Sequence, residues 1–216
     1  MHPLRQGLSE GLAALGLVLT DFQQQQLLDY VDLIQKWTKV YNLTAVRDPA
    51  EMLTHHLLDS LAVINPLRKQ LDVVGVTAPR LLDVGSGAGL PGVVIAICCP
   101  NITVHCVDTV AKKVAFIQQA VVSLKLPNLR GVHARVESLK DGYDVVSSRA
   151  FASLLDFTNW SGAALAPHGV WMAMKGKQPV DELAVLPPDV RVFHVEHVVV
   201  PGLEAERCIV WMRRAR

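Results

Sequence analysis

The sequence predicts an open, doubly wound α/β sheet, mostly parallel with an antiparallel edge strand, preceded by an N-terminal helical annex. Three observations carry that expectation. From Arg80 onward, short apolar runs alternate with helical windows, as strands joined by right-handed crossovers would. A glycine-rich turn, Gly85-Ser86-Gly87-Ala88-Gly89, follows the first of those runs and opens a helix. Before residue 66, the apolar residues instead recur at helical spacing.

The annex is read first. Residues 11–19 fit an amphipathic helix; they lack a small-residue cleavage site, so a signal peptide is not expected. Thr20 or Asp21 is placed to cap a second helix whose apolar positions Phe22, Leu27, Leu28, Val31, Ile34 and Trp37 fall largely on one face. Asp48-Pro49-Ala50-Glu51 starts a third: Asp48 caps, Pro49 fits the first helical position, and Glu51 stands where a capping box wants a carboxylate. That helix is expected to run to Asn65 and stop at Pro66, with residues 66–79 as a linker that keeps some residual helix. Residues 1–75 then form the annex and residues 76–216 the main domain.

In the main domain, strands are expected at residues 81–84, 102–107, 129–133, 143–147 and 169–174. Helical windows fall between them at 90–99, 110–124 and 153–166. Residues 190–200 and 208–212, joined by a short Pro201-Gly202 connection, read as a hairpin-like pair that closes the sheet with an antiparallel edge.

Composition narrows the function. Half of the 216 residues are hydrophobic and 19% are charged, which excludes intrinsic disorder. Net charge is +1, from 21 basic and 20 acidic residues, so a nucleic-acid partner would have to meet a local concentration of positive charge. Cys98, Cys99, Cys106 and Cys208 include no C-x-x-C, hence neither a zinc knuckle nor a disulfide framework; they read as reduced thiols of a cytoplasmic protein. The longest apolar stretch, residues 90–100, is too short for a membrane span, which needs about 20 residues.

The glycine turn carries the chemistry. Glycines let the backbone approach a ligand, and the helix that follows offers free N–H groups. A dinucleotide fingerprint would need glycine where Leu90 stands. Gly85, Gly87 and Gly89 with Asp83 before them are instead similar to the nucleoside-methionine loop of class I methyltransferases. Asp108, at the end of the second strand, can accept hydrogen bonds from both ribose hydroxyls of an adenosine cofactor. Taken alone, the loop could simply be a tightly packed turn; Asp83 and Asp108 in register favour a ligand.

The other strand ends complete the site. Val136 and Glu137 follow the third strand, where the adenine would lie. The fourth ends Ser147-Ser148-Arg149-Ala150, without the Asn-Pro or Asp-Pro acceptor of amine methyltransferases or the nucleophilic Cys of pyrimidine-carbon enzymes. Lys175 ends the fifth strand and Arg207 opens the last; with Arg135 and Arg149 they can gather into a local basic site. His55 and His56 adjoin on a helix, and His194 and His197 point to opposite faces of a strand, so no metal is expected.

Together these stretches resemble the bacterial glucose-inhibited division protein B family, the 16S ribosomal RNA guanine-N7 methyltransferases. The matching segments are Tyr41-Asn42-Leu43-Thr44-Ala45, His56-Leu57-Leu58-Asp59-Ser60-Leu61, residues 83–92, Arg135-Val136-Glu137, Ser148-Arg149-Ala150-Phe151-Ala152-Ser153 and Met174-Lys175-Gly176. The resemblance implies a Rossmann-like class I sheet that binds S-adenosylmethionine through Gly85, Leu90, Asp108, Thr109, Val110, Val136, Glu137 and Arg149. It implies RNA or substrate roles for Arg135, Lys175 and Arg207. Arg149 and Lys175 would position the reactants without a general base. The implied partner is 16S ribosomal RNA or the small ribosomal subunit, with no membrane, and nothing in the sequence demands more than a monomer. Two rival functions remain at this point. A small-molecule methyltransferase would keep the loop and Asp108 without needing the basic residues, and a non-catalytic RNA-binding module would keep only the latter.

Overall fold

A computed structural model describes residues 2–149 and 151–215; Met1, Arg216 and Ala150, the last in the fourth-strand stretch quoted above, lie outside the described residues. The first helix, α1 (Arg5–Ala14), lies earlier than residues 11–19, because Gly16 at φ +63° turns the chain out of the helix. In α2 (Asp21–Tyr41), Thr20 forms a full capping box: its hydroxyl accepts from the Gln23 N–H at 3.2 Å, and the Gln23 side chain accepts from the Thr20 N–H at 3.0 Å. Leu27, Leu28, Val31 and Ile34 are buried as their spacing requires, whereas Phe22 is exposed.

Asp48 starts α3 (Pro49–Met52) by accepting from the Ala50 N–H at 2.9 Å. The helix continues through a π-helical segment, Leu53–Leu58, into α4 (Asp59–Leu61). Here the structure corrects the sequence reading. The helix breaks at residues 62–63 and Pro66 lies in the first turn of α5 (Ile64–Val74), where a missing N–H forfeits no hydrogen bond. Gly75, at φ +72°, ends that helix, and the linker shrinks to residues 76–79.

The elements that follow are β1 (Arg80–Val84), α6 (Gly92–Cys98), β2 (Thr103–Asp108), α7 (Ala111–Ser123), β3 (Leu129–His133), β4 (Tyr143–Arg149), α8 (Leu154–Ser161), β5 (Leu165–Lys175), α9 (Val180–Ala184), β6 (Val190–His197) and β7 (Cys208–Arg214). They form one sheet in the order β3-β2-β1-β4-β5-β7-β6. Strand β7 runs antiparallel to β5 and β6, and the remaining pairs are parallel. The β6–β7 connection is not a tight Pro-Gly turn: it spans residues 198–207, closed by the Val198 N–H donating to Arg207 O at 2.9 Å, and Arg207 sits one residue before the strand.

Two apolar layers sandwich the sheet. One contains Leu82, Val84, Val146, Phe157, Trp171 and Val210. The other runs without interruption from Leu8 in α1 through Leu28 and Ile34 in α2 to Val93, Phe116 and Trp211. The N-terminal helices therefore share a core with one face of the sheet. Polar bonds fix their placement. Gln23 Nε2 donates to Ile97 O at 2.8 Å and Gln26 Nε2 to Leu124 O at 2.6 Å, satisfying carbonyls at the C-terminal ends of α6 and α7. The buried Tyr30 hydroxyl donates to Ala88 O, inside the glycine turn. Tyr30→Phe should therefore lower the unfolding free energy by ~0.5–1.5 kcal/mol. Urea denaturation checks this, with an unchanged m-value as the sign that only stability has moved.

Candidate functional site

The site lies at the carboxyl ends of β1 and β4, where the sheet order reverses and α/β sheets open a crevice. Leu82 and Val84 face one layer, which directs the intervening Asp83 toward α6. Its buried carboxylate accepts from the Gly92 N–H at 2.9 Å and from Ser147 Oγ at 3.0 Å, joining the start of α6 to β4. A Cβ at Gly92 would run into Cys106 Sγ and lie 2.9 Å from Asp83 Oδ2, so the contact requires glycine. Burial raises the Asp83 carboxyl to about 7, against the lowering effect of the Gly92 and Ser147 hydrogen bonds.

Asp108 holds the other side of the loop. Oδ2 accepts from the Gly87 N–H at 3.0 Å and Oδ1 from the Val110 N–H at 2.9 Å, with Lys113 Nζ 3.8 Å away. Beyond it opens a cavity of about 330 Å³ lined by Gly85, Asp108, Thr109, Arg135, Val136 and Glu137 among the expected residues, and by Phe151 and Trp160. Gly85, at φ +63°, forms its floor; a Cβ there would lie 2.6 Å from the Phe151 ring. Phe151 meets Trp160 edge-on with centroids 5.7 Å apart, giving the cavity an aromatic wall.

A second cavity, of about 370 Å³, is lined by His55, His56, Asp59, Arg149, Met174, Lys175, Gly176 and Arg207. Three of the four expected cations thus meet there, while Arg135 lines the first cavity. Each of the three is paired. Asp59 accepts from Arg149 Nη1 at 3.0 Å and from Arg207 Nε at 2.7 Å, and Lys175 Nζ donates to Glu182 Oε2 at 2.9 Å. His56 is buried with Nε2 2.9 Å from Thr44 Oγ1; burial, followed by the field of Arg149, lowers its pKa to about 4 and keeps it neutral.

Of the expected cofactor residues, Asp83, Gly87, Gly89, Leu90 and Val110 surround the loop without lining the first cavity, and Arg149 lines the second. Asp59, Phe151 and Trp160 were not singled out as site residues from the sequence. A carboxylate flanked by Leu57, Leu58 and Leu61 was the available signal for Asp59; Trp160 carried none. The four cysteines are buried, and burial raises each thiol's pKa. Among the described residues, no group of three or more His, Cys, Asp or Glu gathers as a metal site, and no helix is long and apolar enough to cross a membrane.

Comparison with known proteins places these cavities in context. Residues 23–210 match the family described as "rRNA small subunit methyltransferase G" (GidB). A ribosomal RNA small subunit methyltransferase G from a Polaromonas species is 72% identical over 209 residues, covering 96% of this chain and 92% of the relative. Its counterpart from Albidiferax ferrireducens is 68% identical, covering 100% and 99%. Among solved structures, a SAM dependent methyltransferase from Aquifex aeolicus superposes with a TM-score of 0.55 at 17% identity, covering 76% of this chain and 98% of that one; the likeness is one of fold.

Because the native Asp83 carboxyl binds its proton up to about pH 7, whereas an unfolded one releases it near 3.8, its stabilising contribution is full below 3.8 and is lost as pH rises through 7. Asp83→Asn, a neutral isostere, should lack this loss, so its stability relative to the unaltered protein should rise between pH 5 and pH 8. Urea unfolding at both pH values measures it; parallel pH profiles would refute the assignment.

Proposed function

The chain belongs to the rRNA small subunit methyltransferase G family, and from that premise we propose that it methylates N7 of one guanosine in the decoding region of 16S ribosomal RNA. The coarser activity is not in question: the chain is an S-adenosylmethionine-dependent ribosomal RNA methyltransferase with a class I sheet. Family membership sets aside the small-molecule enzyme and the non-catalytic RNA-binding module. Residues 1–75 would be an annex of the methyltransferase domain, residues 76–216.

The residues of the first cavity fit the cofactor. Asp108 keeps lone pairs free for ribose hydroxyls, the missing side chain at Gly85 lets the Phe151 ring pack against the loop as a wall of the cavity, and Val136, Glu137 and Trp160 offer an apolar slot with one carboxylate for the adenine. Asp83, Gly87, Gly89, Leu90, Thr109 and Val110 would hold the loop around it, with Arg149 at the junction to the second cavity. When bound, S-adenosylmethionine supplies the methyl group and the positive sulfonium charge that drives its transfer.

One observation carries the choice of atom: among the described residues of the second cavity, the cations are paired with carboxylates, and the exposed imidazole of His55 is the side chain left to act as a base, a group that methylation at N7 does not need. Asp59 and Glu182 are both engaged by cations, and His56 is held to Thr44 in the cavity wall. Guanine N7 bears no proton, so the residues need only hold the base in place, and orientation alone can supply up to ~7–11 kcal/mol of the barrier. Pyrimidine-carbon methylation would require a thiolate, which buried thiols with raised pKa values do not provide. Ribose methylation would need Lys175 to polarise the hydroxyl, yet its ammonium is held by Glu182 and the Ala152 carbonyl, or His55 to take the proton, a step that N7 does not call for. Arg149 and Lys175 therefore serve as positioning groups, and Arg135, Lys175 and Arg207 as contacts to RNA.

Asp108→Ala should weaken S-adenosylmethionine binding by ~2–4 kcal/mol, because it removes charge-assisted bonds to the ribose. Calorimetry on the folded variant tests this, with unchanged affinity as the contrary result. Reaction with small-subunit RNA lacking the modification should yield 7-methylguanosine at a single position by nucleoside mass spectrometry. A ribose-methylated product would transfer the catalytic role to Lys175 or His55.

A further inference from the structure

One acidic side chain at the centre of the second cavity has no role in the account so far. Asp59 opens α4 directly after the π-helical segment, is only 4% exposed, and divides its two oxygens between Arg207 Nε and Arg149 Nη1. The same Arg149 nitrogen also donates to the His55 carbonyl, within the π-helical segment, at 2.9 Å. These partners lie 90 and 148 residues from Asp59 in sequence, one ending β4 and the other preceding β7. The arginine side chains are 22% and 27% exposed, so either could swing into solvent if released.

Stability alone is a weak reason for such a group, since the desolvation of a buried ion pair largely cancels its attraction. Geometry is a better one. An arginine has four rotatable side-chain bonds, and two unopposed guanidiniums would also repel each other. We propose that Asp59 is a positioning residue for methyl transfer, locking Arg149 at the end of β4 and Arg207 ahead of β7 into one fixed relation across the second cavity. This is what the N-terminal helices contribute to the chemistry. The inference rests on the function proposed above and assigns Asp59 no contact with the reacting atoms.

The charge count provides a signature that a purely structural residue would not give. With Asp59 in place, the Arg149–Asp59–Arg207 group carries a net +1; Asp59→Asn leaves +2. The variant should bind RNA as tightly as the unaltered enzyme or more tightly, with a steeper salt dependence. Its kcat should nevertheless fall by ~10–100-fold, since displacement of a positioning group by about 1 Å has that effect. Asp59→Glu, which keeps the charge, should fall between the two. Adding Arg207→Ala to Asp59→Asn should cost little further activity, because an unpositioned arginine has already lost its contribution.

Single-turnover kinetics, RNA binding across a salt series and urea denaturation provide the readouts for five proteins: the unaltered enzyme, Asp59→Asn, Asp59→Glu, Arg207→Ala and the double variant. Activity of Asp59→Asn within about threefold of the unaltered enzyme, or losses that multiply fully in the double variant, would overturn the proposal. Loss of the fold in both the Asn and Glu variants would likewise overturn it, making Asp59 a structural residue. The nucleoside formed by the unaltered enzyme is read separately. A product other than 7-methylguanosine would overturn the function proposed above and leave the comparison among variants standing.

Discussion

The bond from the Gly92 amide to the buried carboxylate of Asp83 is the constraint on which the rest of the site depends. It fixes the start of α6 against the end of β1, and through Ser147 it ties both to β4, the neighbour across the point where the strand order reverses. The loop between Val84 and Gly92 must then close over a short span, which is why its glycines adopt positive φ and why Gly92 can carry no side chain. Asp108 performs the matching task from β2 by accepting from Gly87 and Val110. Two carboxylates on adjacent strands thus shape a backbone surface, and the first cavity is the space left above it.

The N-terminal helices are part of this arrangement. Tyr30 reaches the glycine turn itself, and Gln23 and Gln26 occupy carbonyls that α6 and α7 leave open at their C-terminal ends. Their apolar faces merge with the layer that contains Val93, Phe116 and Trp211. A disturbance in α2 is therefore transmitted to the loop through packed side chains and one hydrogen bond. The π-helical segment behaves likewise, because it brings the His55 carbonyl and Asp59 to the same arginine.

Charge is managed by pairing rather than by accumulation. A chain of net charge +1 gathers Arg149, Lys175 and Arg207 in one cavity, then sets Asp59 and Glu182 among them. Glu182 also accepts from the Leu154 N–H, so one carboxylate steadies Lys175 and the start of α8 together. Cations held in this way present donors at fixed positions, which suits orientation of a base and its phosphates better than a diffuse basic surface would.

The sequence by itself determined the sheet, because strand and helix periods, Gly85 to Gly89 and the carboxylates Asp83 and Asp108 are local patterns whose geometry follows within a few residues. Thr20 and Asp48 were legible as helix starts for the same reason. Pro66 was misread because proline is compatible with the end of one helix and the first turn of the next, and only packing decides between them. Which cations would share a cavity was likewise decided in three dimensions: Arg135 stands apart, while Arg149 and Arg207 converge on Asp59 from 90 and 148 residues away. Phe151 and Trp160 became an aromatic wall by the fold of α8. Local pattern specifies local geometry; a bond between residues far apart in sequence exists only once the sheet order has brought their strand ends together.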